Sequence, residues 1–347
     1  MKDVLNQTKT SFVCVGTAYE VSLEEKVNSN GDDCIMGSII LRVPGGTQRF
    51  RVYSNKFYKS GKNAGKLHYL YNALVSAYNW NTEINGNGGE PTRVMLKGEF
   101  DINDYASTTS NRVVSTLDFR TKSITHRVPE DTEDGMIMEF DGICTKFAPE
   151  IKDDEETGRL VGQFMAVNYN GQVIPIDFVV EKEGAELVVD GDSEIEALCV
   201  GQTRTTVSMD VRHTTQGVAK APVKKAVFGK SHGPKMVDTP REIVEYVLTS
   251  YDYEAVREPE DEDENTVWIN PKTIAEAVKQ RRIHLEELEQ SLKDGTAAKS
   301  NNTQKKTNAA SSALNMAKNA TRPTPATPIN EDPFNGVNVD DVFGGLM

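Results

Sequence analysis

The alternation of apolar and polar residues in the first third of the chain predicts short β-strands separated by turn residues. Residues 48–54 alternate with period two, so Phe50 and Val52 should point to one face of a strand. That face suits a core. The opposite face suits an open binding surface and carries Arg49, Arg51 and Tyr53.

Five predicted strands and one helix in this part of the chain follow the order of an OB-fold barrel. Apolar residues at helical spacing place the helix within residues 66–79, between the third and fourth strands. The strands are predicted at residues 11–16, 35–43, 48–54, 93–100 and 113–119. We therefore predict a basic and aromatic OB-fold domain over residues 1–130.

A similar order of elements recurs further along the chain and indicates an internal duplication. The repeated strands are predicted at residues 138–144, 158–167, 173–180 and 196–202. They define a second OB-fold-like domain over residues 136–213. The predicted fold class is mainly β, with two tandem OB-fold-like β-barrels, a C-terminal helix and a disordered tail.

The remaining third of the chain divides by composition. Residues 214–237 contain five lysines and no acid, which predicts a basic linker. Residues 238–295 should form one strand and one helix, with Pro271 in the first helical position and Gly295 as the stop. The helix either packs on the barrels or pairs with another chain. Residues 296–328 predict a disordered linker, and residues 329–347 an acidic partner-binding tail.

Length and composition limit the class of protein. The chain has 347 residues and a net charge of −13, which is enough sequence for two domains. No apolar run reaches membrane-spanning length and the N-terminus has no apolar signal core, so we expect a cytoplasmic protein without a membrane partner. Without catalytic or metal-ligand motifs, we expect no enzyme activity, no cofactor and no metal.

The four cysteines should be buried apolar residues: Cys14, Cys34, Cys144 and Cys199.

The candidate chemistry lies in residues 39–80, which contain no Asp or Glu in a chain that is acidic overall. Cations there can neutralise phosphates, and aromatic faces can stack on exposed bases. The predicted nucleic-acid-binding residues are Arg42, Arg49, Arg51, Tyr53, Lys56, Phe57, Tyr58, Lys59, Lys62, Lys66 and Tyr69. Two alternatives stay open: the three loop lysines could be merely solvated, and the helix aromatics could be core residues.

The second domain has a different charge. Residues 136–213 contain six basic and sixteen acidic residues, so we expect a structural or subunit-contact role there. Whether this barrel contacts nucleic acid stays open. The lysines of residues 214–237 could follow the backbone of a bound strand instead.

The C-terminal tail sets acids beside aromatics. Such a pattern can insert a Phe into a partner's pocket while the carboxylates meet a basic rim, or it can be an inert solubilising tail. The predicted partner-binding residues are Asp332, Pro333, Phe334, Asp340, Asp341 and Phe343.

A basic, aromatic OB-fold followed by a low-complexity linker and this acidic tip resembles the single-stranded-DNA-binding proteins of bacteria and their phages, with two barrels as in phage versions. The bacterial tail normally ends on Pro-Phe, whereas this chain continues through residues 344–347. The bacterial protein also usually has one barrel per chain. The resemblance implies protection of replication or recombination intermediates and recruitment of replication or recombination proteins through the tail, in the host cytoplasm if a phage encodes the protein.

The sequence thus predicts sequence-tolerant binding of single-stranded DNA by backbone electrostatics and base stacking. The alternative is a virion- or replication-associated protein-interaction adaptor that does not bind nucleic acid. The preference for DNA over RNA, the size of the binding site, the tail partner and the oligomeric state stay open, with a homo-oligomer among the alternatives.

Overall fold

The structure is a computed structural model that describes residues 8–86, 89–152, 154–168, 170–184, 203–222, 236–255 and 271–295. Its strands are β1 (Thr10–Val27), β2 (Asp33–Val43), β3 (Gly46–Asn55), β4 (Arg93–Ser107), β5 (Arg112–Thr125), β6 (Gly135–Lys152), β7 (Glu155–Val167), β8 (Val173–Val180), β9 (Thr203–Pro222) and β10 (Met236–Ala255). In the described ranges, the longer helices are α1 (Tyr69–Ala77) and α2 (Pro271–Lys293).

The first five strands close into a ring with the pairing order β1-β2-β3-β5-β4-β1. All neighbours are antiparallel except β3 and β5, which run parallel at Arg51↔Arg120 and Val52↔Thr121. Helix α1 follows β3 and precedes β4, as in an OB-fold. The predicted order of three strands, a helix and two strands is confirmed.

The next five strands repeat the same ring in the order β6-β7-β8-β10-β9-β6. Here β8 and β10 are the parallel neighbours, through Val179 and Val247. Antiparallel pairing of β1 with β6 joins the two rings into one ten-stranded sheet. The predicted mainly β class with two tandem OB-fold-like barrels is confirmed.

The strand boundaries of the second ring differ from the prediction. Strand β9 continues to Pro222 and pairs with β10 along its full length, so residues 214–222 lie in a strand and not in a linker. Strand β10 supplies the fifth member of the ring, and we therefore propose that the second domain extends to residue 255. The predicted strand at 196–202, the lysine-rich residues 223–235, the predicted disordered linker and the acidic tail lie outside the described residues.

A chain of phenylalanine rings links the cores of the two barrels. Phe12, Phe50 and Phe119 pack together inside the first barrel, with 5.1 Å between the ring centroids of Phe12 and Phe50. Phe100 continues this cluster to Phe140 in the second barrel at 5.8 Å. Cys14, Cys34 and Cys144 are buried, as predicted, whereas Cys199 lies outside the described residues.

Helix α2 holds the two barrels together. Its apolar residues Ile274 and Val278 pack on Ile143, Met165, Val167 and Val173 of the second barrel. One turn later the buried Arg281 reaches into the first barrel, where its guanidinium donates to both carboxylate oxygens of Asp104 at 2.8 and 3.0 Å. Of the two predicted alternatives for this helix, packing on the barrels is confirmed.

Candidate nucleic-acid interface

A shallow groove lies on the outer face of the first barrel. Phe50 and Val52 of β3 are buried, and Arg49, Arg51 and Tyr53 point outward, as the alternation predicts. The groove has a volume of about 640 Å³ and is lined by Ser22, Met36, Gly37, Ser38, Arg49, Arg51, Val52, Tyr53 and Arg120. Three arginines from the neighbouring strands β3 and β5 therefore lie beside a surface formed by β1 and β2.

Gly37 allows the strands to approach closely beneath the groove. Its φ is +151°, and a Cβ built there would lie 2.0 Å from the carbonyl oxygen of Ser22. A larger residue would therefore push β2 away from β1.

The groove offers an apolar surface as well as charge. Met36 and Tyr53 are direct cross-strand partners, and 41% and 46% of their respective surfaces are exposed. The Tyr53 hydroxyl donates to Asn55 Oδ1 at 2.9 Å, which fixes the ring beside the thioether. A fixed aromatic ring next to a polarisable side chain is a platform on which an unpaired base can stack.

Carboxylates from other parts of the chain neutralise much of the basic segment. The connection between α1 and β4 brings Glu83 to Arg42 (2.9 Å), and the pairing of β3 with β5 brings Asp118 to Arg51 (3.1 Å). The β1–β2 turn brings Asp33 to Lys56 (3.1 Å) and Asp32 to Lys59 (2.5 Å). Residues 39–80 contain no acid, but their surface in the folded barrel does have acids beside it. The barrel places residues that are distant in sequence side by side.

The remaining predicted cations differ in their contacts. Lys66 donates to Asn63 Oδ1 at 3.4 Å, and Lys62 is exposed on the same loop. Arg49 has no carboxylate partner among the described residues. Arg120, which the sequence did not single out, pairs with Asp118 at 3.1 Å and Asp101 at 3.2 Å. Arg49 is thus the groove arginine most available to a phosphate.

The predicted basic loop is closed at its base. Phe57 and Leu67 form a β-bridge, and the Tyr58 amide donates to the Lys66 carbonyl at 3.0 Å. Lys59, Lys62 and Lys66 all lie on this loop and are exposed. The Phe57 ring is 48% exposed, with the Lys56 ammonium 5.8 Å from its centroid.

The aromatics around α1 divide between core and surface. Tyr69 and Tyr78 are exposed, at 52% and 47%. Tyr71 is buried and donates to Glu25 at 2.7 Å, and this hydrogen bond, with desolvation, raises the pKa of Tyr71 to about 12. Trp80 packs against the core. The core alternative thus holds for Tyr71 and Trp80, and Tyr69 remains available to a ligand.

His68 caps the N-terminus of α1 and was missed by sequence reasoning. Its Nδ1 accepts the Leu70 amide at 3.1 Å, and its ring stacks between Tyr58 and Tyr69. The usual capping residues are Ser, Thr, Asp and Asn. His68 lies inside residues 66–79, the range predicted for the helix, so the helical periodicity gave no signal for this cap.

Acidification should weaken this cap. Burial lowers the pKa of His68 below its ordinary value of 6.5. The unfolded chain therefore takes up the proton at a higher pH than the folded chain, and the cap's stabilisation is present above about pH 6.5 and lost as the pH falls through the folded pKa. We expect the His68→Asn variant, whose amide oxygen can still cap, to lose less stability than the wild type in urea titrations when the pH falls from 7.5 to 5.5, roughly one unit either side of the ordinary histidine pKa. An identical pH dependence would contradict this role.

These features define a protein with two tandem OB-fold-like barrels and a cationic, partly aromatic groove on the first. The chain belongs to the YorF family, whose model matches residues 9–291. A search of curated proteins found no match. Among the described residues, no helix is long and apolar enough to cross a membrane.

Solved structures with a similar arrangement include the single-stranded DNA binding protein from Thermus aquaticus. Its wild-type form is 9% identical with a TM-score of 0.38, covering 75% of this chain and 100% of that chain. A deletion mutant is 8% identical with a TM-score of 0.40, covering 74% and 99%. A replication protein A heterotrimer bound to ssDNA is 9% identical with a TM-score of 0.17, covering 59% and 45%. The OB-fold assignment rests on the strand pairings of this chain.

Proposed function

We propose that the protein binds single-stranded DNA with little sequence preference and without a chemical step. The observation that carries the proposal is the groove that Arg49, Arg51 and Arg120 line together with the exposed pair Met36 and Tyr53. Cations at the rim can hold phosphates, and the platform can stack a base.

The ion pairs in the groove do not prevent phosphate binding. The Arg51 and Arg120 side chains are 54% and 48% exposed while paired with Asp118. Asp118 itself is only 12% exposed, so we expect it to stay paired with both arginines. Each guanidinium has five N–H donors, so a phosphate can accept from those that face the solvent while the ion pair stays intact. Arg49 has no carboxylate partner among the described residues, so all its donors are available.

A preference for single strands over duplex follows from the platform. Tyr53 contributes only when a base face is free, and base pairing and stacking in a duplex hide those faces. A shallow groove with one tyrosine and one methionine reads no base edges, which favours sequence tolerance.

The other parts of the chain would support this activity. We propose that the second barrel is mainly structural, and that the lysines between β9 and β10 bind phosphates of the same DNA strand. The acidic tail, which includes Asp332, Pro333, Phe334, Asp340, Asp341 and Phe343, would recruit replication or recombination proteins. By resemblance, the bound strands would be replication or recombination intermediates.

Reversing the charge of Arg49 tests the site. We expect Arg49→Glu to weaken binding of an oligo-dT strand and to reduce the slope of log K against log salt by about 0.7 for each lost phosphate contact. Fluorescence anisotropy across a salt series measures both quantities.

The matched control is Arg127→Glu, an equal charge change at an exposed arginine outside the groove. It should leave the slope close to the wild-type value. Equal effects of both substitutions would show only a response to net charge, and would place the binding surface elsewhere. If the wild type does not bind at all, the protein-interaction adaptor becomes the better hypothesis.

A further inference from the structure

Three rings form a parallel stack beside the groove. The ring centroids of Tyr58 and His68 lie 4.2 Å apart at an interplanar angle of 27°, and those of His68 and Tyr69 lie 5.3 Å apart at 21°. The stack joins the basic loop, which contributes Tyr58, to the first residue of α1, which is Tyr69.

The backbone and two side-chain hydrogen bonds hold each ring in place. The Tyr58 amide is bonded across the base of the loop, and the His68 amide donates to the Lys56 carbonyl at 2.8 Å. The His68 ring accepts the Leu70 amide, and the Tyr69 hydroxyl donates to the Lys122 carbonyl. The stack is therefore ordered before any ligand arrives, which lowers the entropic cost of binding.

The Tyr69 end of the stack is open. Tyr69 is 52% exposed, so part of its ring surface is free of protein contacts. At the Tyr58 end, the basic loop carries Lys59, Lys62 and Lys66, which are exposed. A DNA strand that stacks a base on Tyr69 and continues along the stack would bring its phosphates to this loop.

The stack continues the surface of the groove. Arg120 lines the groove, and Lys122 lies two residues further along β5 on the same face. Because Tyr69 is bonded to the Lys122 carbonyl, the tyrosine lies beyond Arg120 at this end of the barrel. A DNA strand held by Arg120 can extend to Tyr69 without leaving the protein surface.

We propose that the Tyr58–His68–Tyr69 stack is a second nucleobase-stacking site, in which a base of the bound strand stacks on Tyr69 and His68 is a positioning residue that holds the two tyrosines parallel. This inference rests on the proposed function and extends the bound strand from the groove to the basic loop. Since Nδ1 of His68 accepts a hydrogen bond, its neutral ring carries the proton on Nε2.

The chain offers a matched pair of substitutions. Tyr69 and Tyr78 lie at the two ends of α1 with similar exposure, but only Tyr69 belongs to the stack. In the full-length protein, we expect Tyr69→Ala to weaken oligo-dT binding by about 5- to 150-fold, the range for loss of one stacked base. Tyr78→Ala should stay within about twofold of the wild type. Thermal unfolding of both variants checks that they fold.

A ligand without bases separates stacking from charge. Tyr69→Ala should not change the affinity for an abasic deoxyribose-phosphate oligomer with the same number of phosphates, because that ligand has no base to stack. Equal weakening for both ligands, or equal effects of Tyr69→Ala and Tyr78→Ala, would overturn the proposed site. If the wild type and Tyr69→Ala bind oligo-dT equally while Arg49→Glu binds weakly, this inference fails and the proposed function stands.

Two substitutions of His68 test its positioning role. His68→Phe keeps an aromatic ring between the tyrosines but removes the acceptor, and His68→Asn keeps an acceptor but removes the ring. We expect His68→Phe to bind oligo-dT more tightly than His68→Asn. The opposite order would assign His68 to capping α1 alone.

Discussion

Replacing Asp104 by alanine should lower the free energy of unfolding by about 3–5 kcal/mol. The Arg281 and Asp104 side chains are only 4% and 8% exposed, and Arg281 also donates to Ser115 at 3.2 Å. Removing the carboxylate leaves a guanidinium charge buried without its counter-ion, which is far more costly than the loss of an exposed ion pair.

Urea unfolding followed by circular dichroism measures this change, and a double variant provides the control. Asp104→Leu combined with Arg281→Met removes both charges and keeps apolar volume, so it should recover most of the lost stability. A loss below about 1 kcal/mol in Asp104→Ala, the size expected for an exposed pair, would show that α2 does not bury this contact against the first barrel.

The second large effect is expected in the core of the first barrel. Phe50→Ala should lower the free energy of unfolding by about 3–5 kcal/mol, because it removes a fully buried ring and leaves a cavity. The Phe50 ring is 0% exposed and packs against Phe12 and Phe119, with centroids at 5.1 and 6.2 Å. The same strand carries Arg49 and Arg51, so loss of this ring should also disorder the groove.

Phe57→Ala is the matched control for this prediction. It is the same chemical change two residues beyond the end of β3, at a ring that is 48% exposed. Its effect on stability should stay within about 0.5 kcal/mol. Similar losses in both variants, measured by urea titration, would contradict the assignment of Phe50 to the core and Phe57 to the surface.

The order of elements in the first barrel could be predicted because its signals are local. Period-two alternation places Phe50 and Val52 inward, and helical spacing locates α1 to within three residues at each end. The order of three strands, a helix and two strands then favours one topology. None of these steps needs knowledge of which strands become neighbours.

The charge of the site could not be predicted in this way. Asp118 reaches Arg51 because β3 and β5 run side by side, although 67 residues separate them (118 minus 51). Asp32 and Asp33 meet the basic loop through the β1–β2 turn. Arg120 lies at the groove because β5 is the neighbour of β3. A window of sequence counts only local charges, whereas a barrel face collects residues from several strands.

The end of the second barrel was missed for a different reason. Strand β6 pairs with β9 only from Arg204 to Asp210, and beyond this point β9 pairs mainly with β10. Backbone hydrogen bonds form a ladder whatever the side chains are, so a strand can lack the apolar alternation that a sequence analysis looks for. Residues 214–222, with Thr214, Thr215, Gly217 and Lys220, have the composition of a linker, although their backbone forms a ladder.

The most direct test of the central proposal is fluorescence-anisotropy binding of a labelled oligo-dT strand across a salt series, with duplex DNA as competitor. The account predicts tight binding that duplex does not displace and that weakens with salt, with a slope of about −0.7 for each phosphate contacted. Absence of binding at low salt, even after removal of the tail beyond Pro328 to exclude self-competition, would contradict it.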